Sequence, residues 1–247
     1  MGTLHVKNIC KGFDTVNGRR EVLKNVSFEL EEGSFTVIGG ENGSGKSLLM
    51  SIIAGLEEAD SGSIESFGRA GLVFQEAETQ ILGETPAEDI AFGPKNLGWK
   101  GEKLQQAVEA ALEKTGLSAK RDFPARFLSG GEKRRLAVAC MLAMDLPVLI
   151  LDEPYANLDY GGVQQVNALL QDLKGQKKTI LLLTHEIEKC LGLADRFIVL
   201  FRGEKVFDGK SADFNPPAGS STPAVNVEAW NIRNPFTAYK RVEDLVW

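Results

Sequence analysis

The stretch that decides the fold of this sequence is Gly40-Glu41-Asn42-Gly43-Ser44-Gly45-Lys46-Ser47. It reads G-x-x-x-x-G-K-S, the pattern of a phosphate-binding loop. The apolar run 35–38 before it predicts a short buried strand, and residues 48–54 after it predict a helix. Glycines let the backbone turn tightly, so that several N–H groups point at one anion, and the helix start adds more. We therefore predict nucleotide binding here, with Lys46 at the β- and γ-phosphates and Ser47 offering its hydroxyl to Mg²⁺.

The bulk composition is that of an ordinary globular protein. The chain has 247 residues, of which 43% are hydrophobic and 25% charged, which suits one large domain or one domain with a small appendage. The net charge of −6 does not attract nucleic acid, and we expect no nucleic-acid partner. The three cysteines have no metal-type spacing and are expected to be reduced thiols in the cytosol.

No segment of the sequence predicts a membrane-spanning helix. The N-terminus has no apolar signal segment, and the longest apolar region, 136–151, is interrupted by Asp145 and Pro147. A membrane role therefore requires a partner that spans the bilayer.

Apolar patterns predict alternating strands and helices after an N-terminal hairpin. The predicted strands are 4–13, 22–30, 35–38, 63–66, 70–74, 148–151, 178–183 and 196–201. The predicted helices are 48–54, 86–92, 102–115, 129–144, 163–173 and 186–193. We therefore predict an α/β fold with a mixed, largely parallel sheet, an antiparallel β subdomain and an inserted helical subdomain at about 76–145.

Polar residues follow four of the predicted strands: the phosphate loop, Gln75, Asp152-Glu153 and His185. In open α/β sheets, ligands bind beyond the carboxyl ends of the strands. Asp152 would then lie near Mg²⁺, and Glu153 would either deprotonate a water in line with the γ-phosphate or only support the metal. A histidine in the position of His185 is more often structural, but at this edge it can donate to the γ-phosphate.

Two further features each allow two interpretations. The Phe13 ring either stacks on adenine or belongs to the core beside an edge strand. Ser129 and Glu132 match a capping box. The glycines between them, Gly130 and Gly131, allow either a capped helix alone or a second anion site, and the pattern itself does not separate these two.

From about residue 4 to 209 the sequence resembles the nucleotide-binding subunits of ATP-binding cassette (ABC) proteins. The family's motifs occur in order: Walker A at Gly40–Ser47, the Q-loop at Gln75, the LSGGE signature at Leu128–Glu132, Walker B at Val148–Glu153, the D-loop at Asn157–Asp159 and the H-loop at His185. The resemblance implies a head-to-tail dimer with two ATP molecules in its interface. Each ATP would touch the Walker A loop of one subunit and residues 129–131 of the other, and its hydrolysis would open the dimer.

The resemblance also implies a role for each matching residue. Glu153, His185 and Lys46 are expected in catalysis. The residues expected at the metal are Ser47, Gln75 and Asp152. The residues expected to contact the nucleotide are Phe13, Gly40, Glu41, Asn42, Gly43, Ser44, Gly45, Lys46, Ser47, Leu48, Gln75, Ser129, Gly130, Gly131, Glu132 and Asp159.

Residues 73–97 and the triplet Lys133-Arg134-Arg135 are similar to the energy-coupling-factor (ECF) group of this family, whose ATPases drive uptake of vitamins or of cobalt and nickel ions. The similarity implies three partners: a second ATPase subunit, identical or related, a transmembrane coupling protein and a substrate-binding membrane protein. The chain would then lie on the cytoplasmic face of the cell membrane. The alternatives are the ATPase of another ABC importer or exporter, and a soluble ABC ATPase switch.

One residue of the phosphate loop departs from the family's usual pattern. Glu41 replaces a common proline, and its carboxylate would weaken phosphate binding unless it turns to solvent.

The run Pro216–Pro223 reads as a linker or loop, so we predict a nucleotide-binding domain at 1–215 and a C-terminal appendage at 216–247. The appendage is too aromatic for a disordered tail and is expected to dock on the main domain or help two subunits dimerise. Its aromatic residues are Trp230, Phe236, Tyr239 and Trp247.

Overall fold

The computed structural model describes residues 3–66, 68–210, 213 and 226–232. Its strands are β1 (Thr3–Thr15), β2 (Gly18–Glu31), β3 (Phe35–Gly39), β4 (Ser61–Glu65), β5 (Ala70–Val73), β6 (Val148–Asp152), β7 (Thr179–Leu183), β8 (Arg196–Phe201) and β9 (Glu204–Gly209). Its α-helices are α1 (Lys46–Ile53), α2 (Pro86–Asn96), α3 (Gly101–Lys114), α4 (Gly130–Ala143) and α5 (Tyr160–Gly175). The succession of strands and helices is that of an α/β fold.

A six-stranded sheet in the order β5-β6-β7-β3-β8-β9 forms the centre of the structure. Neighbouring strands are parallel except for β8 and β9, which are antiparallel. Every residue of β3, β6 and β7 is buried, because other elements cover both faces of the sheet. The predicted mixed, largely parallel sheet is confirmed.

The N-terminal strands form a separate antiparallel sheet in the order β2-β1-β4. β1 and β2 pair along a long hairpin, as predicted, and its turn lies at residues 16–17. Inner residues of the hairpin, such as Leu23 and Val26, pack with α1 against one face of the central sheet. On the other face, Leu170 and other apolar residues of α5 pack on β6 and β7. The phosphate loop therefore lies between the central sheet and the hairpin.

The helices α2, α3 and α4 form the predicted inserted subdomain. Their inner faces share an apolar cluster of their own, in which Ile90, Leu112 and Leu136 are fully buried. α2 continues beyond its predicted end at residue 92 and carries Pro94 in its last turn. None of the helices in the described part of the chain combines the length and apolarity of a membrane span.

Two sequence-based predictions about secondary structure were wrong. Residues 186–193 do not form an α-helix but a single 3-10 turn, Ile187–Lys189, followed by hydrogen-bonded turns at 190–193. The segment is short and contains Gly192, and a short helix with an internal glycine is only marginally stable. The edge strand β9 was not predicted. It follows a tight turn in which Arg202 (φ 51°) and Gly203 (φ 84°) both have positive φ, the geometry of a two-residue hairpin.

Strand register brings the ends of β3, β6 and β7 to one level. Asp152 pairs with Leu183, and Leu183 pairs with Ile38, so the three strands finish in one row. The residues that follow leave the sheet at the same edge: Glu153 after β6, Thr184-His185 after β7 and the phosphate loop after β3. The predicted convergence of polar groups is therefore a consequence of strand pairing.

The C-terminal residues that the structure describes, 226–232, lie against the main domain. Val227 and Ile232 are only 1% and 3% exposed and belong to the main apolar core. The ring of Trp230 lies 6.1 Å from that of Phe207 on β9. Of the predicted aromatic appendage, Phe236, Tyr239 and Trp247 lie outside the described residues, as does Pro216–Pro223.

Candidate functional site

The phosphate loop depends on glycine at two positions. Gly40 and Gly45 have φ of 148° and 100°, which side chains rarely adopt. A Cβ on Gly40 would collide with the Leu200 carbonyl oxygen, and one on Gly45 would lie 2.7 Å from Leu23 Cδ2. α1 begins directly after Gly45 with no side-chain cap and no acidic residue in its first turn. Its first N–H groups are thus not capped by a side chain, which favours an anion at the helix start.

Lys46 is held inside its own loop. Lys46 is only 5% exposed. Its Nζ donates to the carbonyl oxygens of Gly40 at 2.8 Å and Glu41 at 3.0 Å. Burial lowers the pKa of the Lys46 ammonium, although nearby carboxylates, led by Glu153, oppose that shift. The direct hydrogen-bond partners of this ammonium are neutral carbonyl oxygens, and the nearby carboxylates only partly offset the cost of burying its charge. A bound phosphate would add negative charge in direct contact with it.

Asp152, at the end of β6, presents a buried carboxylate. The residue is 7% exposed, and its Oδ1 has no hydrogen-bond partner. Burial raises the pKa of the Asp152 carboxyl above its usual value, and a hydrogen bond with Ser47 and the charge of Lys46 only partly offset this.

These groups fit a magnesium ion that binds together with a phosphate chain. Carboxylate, hydroxyl and phosphate oxygens with water are the ligands that Mg²⁺ takes in such sites. No group of three or more His, Cys, Asp or Glu side chains in the described ranges is arranged to hold a metal by itself. An ion at Asp152 and Ser47 therefore requires phosphate oxygens and water to complete its coordination.

Glu153 and His185 meet at the same sheet edge. Glu153 has a left-handed backbone, φ 47°, and its N–H donates to the Leu183 carbonyl oxygen at 2.9 Å. Its Oε1 lies 2.9 Å from His185 Nδ1 and accepts from the His185 N–H at 3.2 Å. The Glu153 side chain is 6% exposed, whereas that of His185 is 44% exposed. A positive φ at a non-glycine residue is strained and is typical of functional positions.

A cleft of about 230 Å³ lies over the phosphate loop. It is lined by Val22, Asn42, Gly43, Gly45, Lys46, Ser47, Leu48, Gln75 and Glu153. Most of these residues were predicted to contact nucleotide or metal, and Val22 was not. The predicted site residues that do not line this cleft are Phe13, Gly40, Glu41, Ser44, Ser129, Gly130, Gly131, Glu132, Asp152, Asp159 and His185.

Residues around the signature serve as helix caps. The Ser129 hydroxyl accepts from the Glu132 N–H at 3.3 Å, and Glu132 Oε2 accepts from the Ser129 N–H at 2.9 Å, which completes the predicted capping box. Glu132 Oε1 also lies 2.7 Å from Lys120 Nζ. This bond, and to a smaller extent the bond from the Ser129 N–H, lowers the pKa of Glu132. Asp159 caps α5 by accepting from the Gly162 N–H at 2.8 Å. The exposed Gly130 leaves the start of α4 open to solvent.

Phe13 lies on β1 and is 44% exposed, so its ring is available at the surface. Lys11 Nζ lies 5.4 Å from the centre of that ring. The exposure favours the stacking interpretation over a core position, because a core phenylalanine would be buried.

Arg134 makes contacts that sequence reasoning missed. From α4, its guanidinium donates to three carbonyl oxygens: Pro154 at 3.2 Å, Ala156 at 2.5 Å and Gln75 at 3.2 Å. Burial lowers the pKa of Arg134. The side chain thus connects the signature helix to the turn after Glu153 and to the segment that follows β5. Its partners are backbone atoms, which no sequence pattern specifies.

A second connection runs through the core on the far side of Glu153. The Tyr155 hydroxyl donates to Asn167 Oδ1 at 2.6 Å, and Asn167 Nδ2 donates to the Lys189 carbonyl oxygen at 2.8 Å. Tyr155 is fully buried. This chain links the turn after Glu153 to the turn after His185.

A family model described as "ABC transporter" matches residues 23–156, more than half of the chain. The chain belongs to the ABC transporter ATP-binding family. Proteins of this family are ATPases, so the chain is an ABC ATPase with the P-loop NTPase fold. The resemblance inferred from the motifs is confirmed.

Relatives of this ABC ATPase include named ECF proteins. It is 39% identical to the energy-coupling factor transporter ATP-binding protein EcfA2 of Methanospirillum hungatei over 202 residues, which cover 76% of this chain and 51% of the relative. The chain thus spans about half the length of that relative. It is 37% identical to the EcfA protein of Carboxydothermus hydrogenoformans, with 76% and 75% covered.

Solved structures agree with this assignment. The chain superposes on CbiO1 of Clostridium perfringens, described as part of the ABC transporter complex CbiONQ, with a TM-score of 0.76 and 30% identity over 85% of this chain and 89% of that one. An ATP-binding cassette solved as a dimer with ADP and phosphate gives a TM-score of 0.76 and 26% identity, with 84% and 98% covered.

The raised pKa of Asp152 leads to a prediction about stability. A carboxyl whose pKa is higher in the folded than in the unfolded state costs stability as the pH rises through these two values, and the full cost remains above both. Asp152→Asn is therefore expected to stabilise the nucleotide-free protein at neutral pH, by on the order of 1 kcal/mol, and not in acid.

Urea unfolding of the Asp152→Asn variant at several pH values measures this effect. Asp14→Asn is the matched control, since the Asp14 side chain is 89% exposed. A neutral-pH stability equal to or below that of the unaltered protein would show that burial of the Asp152 charge carries no cost.

Proposed function

We propose that this ABC ATPase powers uptake of a small solute, a vitamin or a transition-metal ion, through an ECF-type membrane partner. ATP would close a dimer of ATPase subunits, and hydrolysis would reopen it. The observation that carries the ATPase part is the convergence of Lys46, Ser47 and Glu153 on one cleft, with Asp152 directly before Glu153 at the end of β6. The ECF names of relatives support the transport part.

The proposed chemistry assigns one task to each buried group. Lys46 leaves its carbonyl partners and binds the β- and γ-phosphate oxygens, where its charge stabilises the transition state. Mg²⁺, when bound at Ser47 and Asp152 with Gln75 nearby, neutralises phosphate charge. Glu153 accepts the proton of the attacking water.

His185 and Phe13 are proposed to hold the two ends of the nucleotide. His185, already 2.9 Å from Glu153, orients that carboxylate and donates to the γ-phosphate. Phe13 stacks on adenine. The loop residues Gly40 to Leu48 surround the phosphates with N–H groups.

Residues 129–132 are proposed to complete the site of the other subunit. They lie outside the cleft around Lys46, and Gly130 is exposed at the start of α4. A helix start of this kind binds anions. Asp159 would approach the partner's nucleotide in the same interface. The dimeric state of a solved relative supports this arrangement.

Glu153→Gln is expected to retain ATP binding but to slow hydrolysis by about 10²- to 10⁴-fold, because a neutral amide does not accept the water's proton. ATP would then trap the closed dimer. Phosphate release and size-exclusion chromatography measure the two effects. Glu186→Gln is the control, because it makes the same chemical change at a carboxylate that is bonded to Lys189, with Oε1 2.5 Å from Nζ. Near-normal phosphate release by Glu153→Gln would disprove the base role.

A mixing experiment tests the shared site directly. Lys46→Ala and Ser129→Arg are each expected to abolish ATP-dependent dimerisation and hydrolysis. In an equal mixture, roughly a quarter of the sites would combine an intact Lys46 with an intact Ser129 from the other chain, because a symmetric dimer has two equivalent sites. The mixture should therefore regain activity. A mixture as inactive as either variant alone would place both residues in a site within one chain.

An apolar groove between β5, α2 and α4 supports docking of a membrane partner. The groove has a volume of about 470 Å³, and its lining includes Phe74, Leu82 and Phe92, which are 37%, 67% and 50% exposed. An exposed apolar groove is a common docking site for an amphipathic helix. We propose that a cytoplasmic helix of the transmembrane coupling protein binds here, with a substrate-binding membrane protein completing the complex on the cytoplasmic face of the membrane.

Phe92→Asp is expected to reduce co-purification with co-expressed membrane proteins by about tenfold or more, because a carboxylate would lie in the apolar contact. Basal ATP hydrolysis should change little. Phe127→Asp is the control, since Phe127 is 64% exposed and does not line the groove. Unchanged co-purification of Phe92→Asp would exclude this groove as the membrane contact.

We also propose that the chain divides into two parts. The nucleotide-binding domain would comprise 1–215, and the appendage 216–247 would contribute to contact between the two ATPase subunits. The packing of Trp230 on Phe207 supports an ordered start to this contact surface.

A further inference from the structure

The C-terminal segment 226–232 contacts the phosphate loop. Asn231 Nδ2 donates to Glu41 Oε2 at 2.6 Å, across 190 residues of sequence. We propose that Asn231 is a positioning residue of the nucleotide site, which holds the Glu41 carboxylate away from the bound phosphates and so sets the affinity for ATP. The proposal rests on ATP binding at this loop.

The segment is anchored well enough to hold a side chain in place. Val227 and Ile232 lie in the main core. The Ile232 side chain reaches the backbone just before the loop, since Cδ1 would lie 3.6 Å from a Cβ on Gly39. Trp230 packs on Phe207. Asn231 therefore projects from a segment fixed on both sides.

The backbone of Asn231 is suited to this role. Its φ is 55°, in the left-handed region that asparagine tolerates better than most residues. Its N–H donates to the Glu228 carbonyl oxygen at 3.0 Å, and the Ile232 N–H donates to that of Val227 at 3.2 Å. The amide is thus presented to Glu41 by a closed turn.

Glu41 is the one acidic residue of the loop, so the placement of its carboxylate affects any anion that binds there. Its main-chain oxygen already accepts from Lys46, and its carboxylate is near enough to raise the pKa of the Lys46 ammonium. A freely moving Glu41 side chain would compete with phosphate for that ammonium. The bond from Asn231 restrains the Glu41 carboxylate and so limits this competition.

Other charged groups lie beside Glu41. A cleft of about 350 Å³ is lined by Arg20, Glu21, Val22, Lys24, Glu41, Asn42, Gly43 and Arg202. The three basic side chains attract anions to this side of the loop, and Glu21 and Glu41 reduce that attraction. Lys24 Nζ also lies 3.6 Å from Glu204 Oε1. The position of the Glu41 carboxylate is therefore one of the factors that set the local charge beside the loop.

This contact gives the C-terminal segment control over nucleotide affinity. If docking of the segment favours ATP, bound ATP must favour docking of the segment by the same factor. A partner that pulls residues 226–232 from the core would release Glu41 and weaken nucleotide binding. The sequence-based expectation was that the Glu41 carboxylate would weaken phosphate binding unless it turned to solvent, and the structure shows it held by a hydrogen bond from Asn231.

Asn231→Asp tests the proposal with almost no change of shape. Aspartate tolerates the same backbone, but it places a carboxylate against that of Glu41. We expect the Kd for Mg²⁺-ATP, measured by isothermal titration calorimetry, to rise about three- to tenfold, a change of the size of one ordinary hydrogen bond. Asn231→Gly, which removes the amide and tolerates positive φ, should give a smaller rise.

Glu41→Gln provides the second half of a double-mutant cycle. In that background there is no loop carboxylate to misplace, so Asn231→Asp should change the Kd less than about twofold. Circular dichroism and thermal unfolding establish that each variant is folded. An unchanged Kd in Asn231→Asp, or an equal change in both backgrounds, overturns the positioning role. Failure of the unaltered chain to bind ATP overturns the nucleotide site as well, and so distinguishes the two claims.

Discussion

The whole site depends on the register of three neighbouring parallel strands. Because Asp152, Leu183 and Ile38 lie in one row, the next residues of each strand leave the sheet at the same point. Parallel pairing accounts for the meeting of the phosphate loop with Glu153, which follows it by more than a hundred residues in sequence. A slip of one residue in any of these strands would separate the phosphate loop from Glu153, and it would also turn buried side chains to the opposite face.

The site retains buried charge that its own protein groups do not fully compensate. Lys46 is bonded to neutral carbonyls, and Asp152 Oδ1 has no partner. Such groups cost stability in the absence of a ligand. A triphosphate with Mg²⁺ carries the charges and oxygen ligands that both residues lack, so binding would relieve a cost already present in the fold. The hydrogen bonds of Arg134 and Tyr155 hold the turn after Glu153 in place in the absence of nucleotide.

Local patterns predicted most of the fold, because each buried strand and the Lys46 loop are encoded by consecutive residues. The prediction of a helix at 186–193 was wrong, because the apolar spacing of this segment is helical although its short length and Gly192 disfavour a helix. β9 was missed because its half-exposed residues resemble a loop. The contacts of Arg134 and Asn231 were out of reach for another reason: their partners, three carbonyl oxygens and Glu41, are adjacent only after the chain has folded.

A crystal structure with Mg²⁺ and a non-hydrolysable ATP analogue tests the central claim most directly. The account predicts that Lys46 Nζ leaves the carbonyl oxygens of Gly40 and Glu41 for phosphate oxygens, while Asp152 Oδ1 gains the metal or one of its waters as a partner. An analogue bound elsewhere, with Lys46 still bonded to its two carbonyls and Asp152 Oδ1 still without a partner, would contradict it.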